Sequence, residues 1–155
     1  MLKNNIILLG AGGHAISCID IIENNNSFNI IGLIGLKQEV DKKVLNYTVI
    51  GSDENLEALQ LKSKYAFVCL GQIKSSKLRQ MLFNKILKLG YIIPKIVSSE
   101  AILSKHSIIS TGSIIMKNAI VNAGAEIGKN CIINNGAIIE HGVKIGDHCH
   151  ISTGV

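Results

Sequence analysis

Tryptophan is absent from this 155-residue chain and aromatic residues reach only 4% of it. With 47% hydrophobic residues to bury, the interior must be built from Ile, Leu, Val and Ala, a composition that favours regular stacked packing over ring-filled cores. No apolar run reaches the roughly 18 residues that cross a bilayer. The short run Ile6–Leu9 has no basic leader before it and no small-residue cleavage site after it, so it reads as the first strand of a cytoplasmic protein. Cys18, Cys69, Cys131 and Cys149 show no CxxC spacing and lie among apolar or small residues. A zinc site or disulfide frame is thereby unsupported, buried thiols are expected, and no metal is implied. The net charge of +5 would suit an anionic partner. The lysines, however, are scattered and lack interleaved aromatics, which argues against nucleic acid and leaves a small phosphorylated or CoA-linked molecule.

Two periodicities divide the chain. From Asn4 to about Pro94 short apolar strands alternate with amphipathic helical patterns. Asn5 to Leu9 reads as a strand, GAGGHA follows, and Ala15, Cys18, Ile19 and Ile22 then recur at the spacing of one helix face. FNIIGLIG reads as a second strand. Ser52 or Asp53 can cap a helix over Asn55 to Leu61, Tyr65 to Leu70 reads as a buried strand, and Leu78, Met81, Leu82, Ile86 and Leu89 mark another helical stripe. Such alternation predicts a small parallel sheet with helices on its faces, a Rossmann-like α/β domain over residues 1–95. The single proline, Pro94, stands near the change of pattern.

Beyond it the period is six. Val97, Leu103, Ile109, Ile115, Val121, Ile127, Ile133, Ile139, Ile145 and Ile151 fall in one frame without a miss. Four residues after each sits a small or branched one, from Ala101 and Ser107 through Ala119, Ala125, Cys131 and Ala137 to Val155. Both registers suit a prism of constant cross-section, in which an aliphatic fills each flat face and a small side chain fits each corner. Residues 96–155 are therefore read as a parallel β-helix of hexapeptide repeats. With three hexapeptides to a coil, residues 18 apart stack. The residue before each inward aliphatic then points outward, giving the ladders Ile102, Ile120 and Ile138; Ile114, Ile132 and His150; and Ile108, Glu126 and Lys144. Two ladders are apolar, and exposed isoleucine ladders predict a subunit interface.

GAGGHA follows a strand and opens a helix. Gly10, Gly12 and Gly13 can turn the chain tightly and bring backbone N–H groups close to a phosphate. A glycine turn of this kind is weak by itself and also occurs with no ligand. No Asp or Glu closes the second strand to hold a ribose, which disfavours a nicotinamide dinucleotide and leaves the diphosphate of a nucleotide sugar.

Taken together, GAGGHA and the later IEHGVKIGDHCHI resemble the sugar acyltransferases related to sialic acid O-acetyltransferases and to bacterial nucleotide-sugar N-acetyltransferases. The resemblance covers nearly the whole chain. It implies a left-handed winding of the β-helix, a homotrimer, acetyl-CoA as cosubstrate and a sugar nucleotide bound through the glycine turn, with His14 a further contact if it is not simply a helix N-terminal residue. By motif, His141 matches the family's general base and His150 the histidine lining the acetyl-CoA site; His148 reads as a solvated turn residue. A neutral imidazole suits the removal of a proton from an amine or hydroxyl attacking a thioester. The implied reaction is direct acetyl transfer to the amino group of a nucleotide-linked sugar, with O-acetylation of sialic acid or a related sugar as the alternative. The chain departs from the family in two places. Gly142 stands where relatives place an acid after the histidine, with Glu140 and Asp147 as uncertain substitutes. The repeats also stop at Val155, partway through a coil, as in a piece of a longer chain or a shortened form. Both departures favour a third reading, a non-catalytic binding or assembly subunit.

Overall fold

The computed structural model describes residues 3–155, in two compact units that part between Ile93 and Pro94. In the first unit a five-stranded sheet runs β3-β4-β2-β1-β5, with β1 at Asn4–Leu9, β2 at Phe28–Gly35, β3 at Lys43–Val44, β4 at Tyr47–Ser52 and β5 at Tyr65–Val68. All its pairings are parallel except the β3–β4 hairpin. Ile6, Ile7, Leu8 and Leu9 of β1 are all fully buried, as a central parallel strand covered on both faces requires. Helix α1, Gly13–Asn25, buries Ala15, Cys18, Ile19, Ile21 and Ile22 and stops at Asn26, whose left-handed backbone lets its N–H reach the Glu23 carbonyl.

Two local readings change and one element is new. The helix expected from Asn55 to Leu61 shrinks to a 3-10 turn at Asp53–Asn55 followed by α2 at Leu56–Leu59. The chain is pulled away from it because the Ser63 hydroxyl ties Asn5 and Tyr65 carbonyls at 2.7 and 2.8 Å. The β3–β4 hairpin had no expectation attached, since its short lysine-containing first strand carries no alternation. Helix α3, Lys77–Lys88, buries Arg79, Leu82, Phe83 and Ile86, whereas Leu78 and Met81 are about half exposed. The inward face is rotated because Arg79, 1% exposed, spends its guanidinium on the Val68 and Leu70 carbonyls at 2.9 and 2.8 Å. An arginine reads as surface in a hydrophobicity pattern, yet its donors suit the open carbonyls at the end of β5.

In the second unit ten two-residue strands recur every six residues: β6 Ile96–Val97, β7 Ile102–Leu103, β8 Ile108–Ile109, β9 Ile114–Ile115, β10 Ile120–Val121, β11 Glu126–Ile127, β12 Ile132–Ile133, β13 Ile138–Ile139, β14 Lys144–Ile145 and β15 His150–Ile151. They stack as three parallel sheets, β13-β10-β7, β14-β11-β8 and β15-β12-β9-β6. Each register steps 18 residues, as Ile120 against Ile138 and Glu126 against Lys144 illustrate. The unit is thus a triangular parallel β-helix. Its axis is filled by Ile115, Val121, Ile127, Ile133 and Ile139 with Ala119, Ala125, Cys131 and Ala137 between them. Burying each of these aliphatics contributes about 1.5–3 kcal/mol.

The corners have their own six-residue period. Gly112, Asn118, Gly124, Asn130, Gly136, Gly142, His148 and Gly154 all adopt positive φ, from 54° to 74°. A left-handed residue turns the chain sharply between faces, and Gly and Asn take that conformation at least cost. Of the expected apolar ladders, Ile102 and Ile138 are exposed at 64% and 50%, with Ile120 half-buried between them. The second ladder is different: Ile114 and Ile132 are fully buried and do not present a surface. One ladder of the two remains an open apolar face.

Candidate functional site

A cavity of about 390 Å³ opens at the carboxyl ends of β1 and β2, bounded by Leu9, Gly10, Ala11, Gly12, Ile34, Gly35 and Leu36 on one side and by Leu70, Leu78, Met81 and Leu82 on the other. In the sheet order β1 stands between β2 and β5; the chain leaving β1 runs through α1 to β2, while β5 lies on its other side. Open parallel sheets bind ligands at such a crevice. Gly10 has φ +123°, its N–H bonds the Ile34 carbonyl at 2.8 Å, and an added Cβ would lie 3.0–3.1 Å from Leu70 and Cys69. Gly10 is therefore fixed by packing. Gly12 and Gly13 are not, since an added Cβ at either meets nothing within 4 Å. Gly12 also precedes α1, whose N-terminus carries no side-chain cap and no acidic residue in its first turn. Uncapped N–H groups beside open space, at the positive end of a helix dipole, make a site for an anion.

Two acids that the sequence did not signal stand in the wall, Glu39 and Asp53. Glu39 returns to the cavity through a 3-10 turn after β2, and its carboxylate accepts the Leu36 N–H at 2.8 Å. Asp53 pairs with Lys85 at 2.7 Å. Leu78 and Met81, expected in the core stripe, line the cavity instead, which accounts for their exposure. Gly13 and His14 lie outside its lining. His14 is half-buried and packs beside Gly71, and its Nε2 is buried without a hydrogen-bond partner. It also approaches Cys18, a fully buried thiol. A hydrogen bond from Cys69 holds the Cys18 thiol well below the ordinary thiol range against the opposing effect of burial, and His14 and Arg79 add to the lowering. Burial pushes the Cys69 thiol up.

In the second unit His141 sits at the corner after β13, with its side chain 88% exposed. Its Nδ1 lies 3.9 Å from Glu140 Oε2. Asn122, one coil earlier, donates from Nδ2 to Glu140 at 3.4 Å and to the Ile139 carbonyl at 3.2 Å. Asp147 is engaged elsewhere, accepting the Lys129 N–H at 2.7 Å. Gly142 has φ +69°, and its N–H bonds the Ala123 carbonyl at 3.1 Å. The position after His141 is therefore one of the left-handed corners, a backbone demand that a linear motif does not display.

His150 stacks outward above Ile132, and its Nε2 lies 3.1 Å from Asn134 Nδ2. Asn134 Oδ1 accepts the Asn135 N–H at 2.8 Å, which leaves the amide nitrogen facing the ring. His148, expected to be a solvated turn residue, is half-buried at a left-handed corner with Nδ1 at 2.9 Å from Asn130 Nδ2. Among the described residues no three His, Cys, Asp or Glu side chains gather as a metal site would require, and no helix is long and apolar enough to cross a membrane.

Comparison with known proteins agrees with this architecture. The model of the PglD N-terminal domain matches residues 5–86, more than half of the chain, and that of the bacterial transferase hexapeptide repeats matches residues 125–155. No curated protein matches the sequence significantly. Among solved structures, PerB from Caulobacter crescentus, in complex with CoA and GDP-perosamine, is 27% identical with a TM-score of 0.86, over 96% of this chain and 69% of that one. A variant of perosamine N-acetyltransferase from the same organism, with a histidine replaced by asparagine and the same two ligands, is 25% identical with a TM-score of 0.88 over the same shares. The acetyltransferase domain of PglB from Neisseria gonorrhoeae, with acetyl coenzyme A, shares the fold at 24% identity and a TM-score of 0.89, over 99% of this chain and 72% of that one. The chain belongs to the PglD N-terminal domain family, with a left-handed parallel β-helix of hexapeptide repeats following that domain.

Proposed function

We propose that the chain is an acetyl-CoA-dependent N-acetyltransferase of nucleotide-linked amino sugars. The observation that carries this reading is the combination, in one chain, of the PglD-type α/β unit with a hexapeptide β-helix on the fold of acetyltransferases crystallised with CoA and GDP-perosamine. The nucleotide sugar binds in the cavity at the glycine turn, its diphosphate against Gly12 and the N-terminus of α1 and its less polar parts against Leu36, Leu78 and Met81. Acetyl-CoA binds at the β-helix, where His150 is held by Asn134.

His141 acts as the general base. The sugar amine attacks the thioester carbonyl as His141 removes its proton; the new C–N bond forms, the C–S bond breaks, and the CoA thiolate leaves to take up the proton. The tetrahedral oxyanion is steadied by a backbone N–H. A histidine is also the residue replaced in one of the solved perosamine N-acetyltransferase structures, which supports this role. The active form is a homotrimer assembled through the open face that carries Ile102, Ile120 and Ile138, which explains why isoleucines stand there at up to 64% exposure.

Two assays test these assignments. Thiol release from acetyl-CoA is measured with UDP- and GDP-linked amino sugars and, in parallel, with sialic acid. Turnover is expected only with the nucleotide sugars, and turnover with sialic acid alone would replace the reading with O-acetylation. Sedimentation equilibrium at micromolar concentration should give a trimer that Ile102→Arg with Ile138→Arg dissociates. A monomeric parent protein would refute the assembly.

A further inference from the structure

The acid that would orient the catalytic imidazole in a linear reading is missing, because Gly142 occupies a left-handed corner with φ +69°. The fold offers another. Asn122 is anchored twice to the Ile139 carbonyl, by its backbone N–H at 2.9 Å and by its side-chain Nδ2 at 3.2 Å. The same Nδ2 reaches Glu140 Oε2 at 3.4 Å, and that carboxylate oxygen faces His141 Nδ1 at 3.9 Å. Adjacent side chains diverge on a strand, but Glu140 and His141 follow the end of β13 at Ile139, where the chain bends into the corner and brings them to one side.

We propose that Glu140, tethered by Asn122 of the preceding coil, is the positioning residue for His141. The inference rests on His141 being the base. A carboxylate beside Nδ1 favours the tautomer with its proton there, which leaves the Nε2 lone pair free to accept the proton of the attacking amine. With Glu140 68% and His141 88% exposed, solvent screens the contact, so its effect on rate is modest, about three- to tenfold.

The test is nitrogen-15 NMR of histidine-labelled full-length protein at alkaline pH, with the His141 resonances identified by their loss in His141→Gln. The Nδ1–H form should predominate in the parent protein. The Nε2–H form should gain several-fold in Glu140→Gln, and Asn122→Ala should lie between the two. Glu140 is at the surface, and in Asn122→Ala the backbone N–H still holds the Ile139 carbonyl, so the coil stays intact and kcat should fall about three- to tenfold with KM for both substrates unchanged. A tautomer ratio identical in the parent and Glu140→Gln overturns the proposal even where His141→Ala abolishes turnover. A shifted ratio with His141→Ala fully active would instead remove the base assignment, and with it any positioning role in catalysis.

Discussion

The two kinds of glycine in the first turn predict opposite phenotypes for the same change. In Gly10→Ala the new methyl would stand 3.0 Å from Leu70 and 3.1 Å from the Cys69 backbone, on a residue held at φ +123°. The conformational cost for a non-glycine residue is about 1–3 kcal/mol. Forcing a methyl into a packed contact adds about 1–3 kcal/mol. A loss of roughly 2–6 kcal/mol is a large part of the 5–15 kcal/mol that holds a domain together. Gly12→Ala meets nothing within 4 Å, and its φ of −93° is open to any residue. Its stability cost is confined to the poorer helix cap, about 0.5–1 kcal/mol. The methyl would, however, occupy the space through which the proposed diphosphate would approach the N-terminus of α1. The expected result is at least a tenfold weaker binding of UDP or GDP, worth about 1.4 kcal/mol. Urea denaturation and isothermal titration calorimetry on the two variants read stability and binding separately. Parent-like nucleotide affinity in Gly12→Ala, or parent-like stability in Gly10→Ala, would refute the division of roles.

Two further predictions concern the cores. Ile133, fully buried on the β-helix axis, leaves a cavity between stacked coils when cut to Ala and should cost about 2–5 kcal/mol by denaturant unfolding; a loss under 1 kcal/mol would mean that the coils collapse into the gap. Tyr91 is 4% exposed, donates to the Leu56 carbonyl, and has its pKa raised by burial. Its contribution is therefore full below the ordinary tyrosine pKa of about 10. Above that, the unfolded chain releases a proton that the folded one retains, so stability falls as pH rises through the folded value. Tyr91→Phe should cost about 1 kcal/mol at neutral pH and flatten the alkaline limb of the stability profile; an unchanged limb would assign it to another group.

The β-helix is legible residue by residue because its cross-section is constant: Ile115, Ile133 and Ile151 fill equivalent places, so one rule repeats. The strands of the α/β unit are legible for the same reason, through unbroken apolar runs such as Ile6–Leu9. What escaped has a nonlocal cause. Arg79 is buried by carbonyls it meets only in the fold. Glu39 enters the cavity wall through a 3-10 turn stabilised by its own side chain, and Leu78 and Met81 look like core residues because the cavity they line has the same apolar chemistry as a core. Gly142 leaves His141 without a following acid, and the backbone adds what a linear motif does not display: a left-handed corner, shared with Gly124 and Gly136. Its neighbour Glu140 lies beside the imidazole only because the chain bends there. The second isoleucine ladder shows the converse, since periodicity places Ile114 and Ile132 on the outside of the prism and both are nevertheless fully buried.

Single-turnover acetyl transfer by His141→Ala tests the proposed role of the His141 imidazole most directly. Nucleotide-sugar affinity, measured by calorimetry, should stay within twofold of the parent, and transfer from acetyl-CoA should slow by about a hundredfold or more. Transfer at the parent rate, with binding intact, would contradict it.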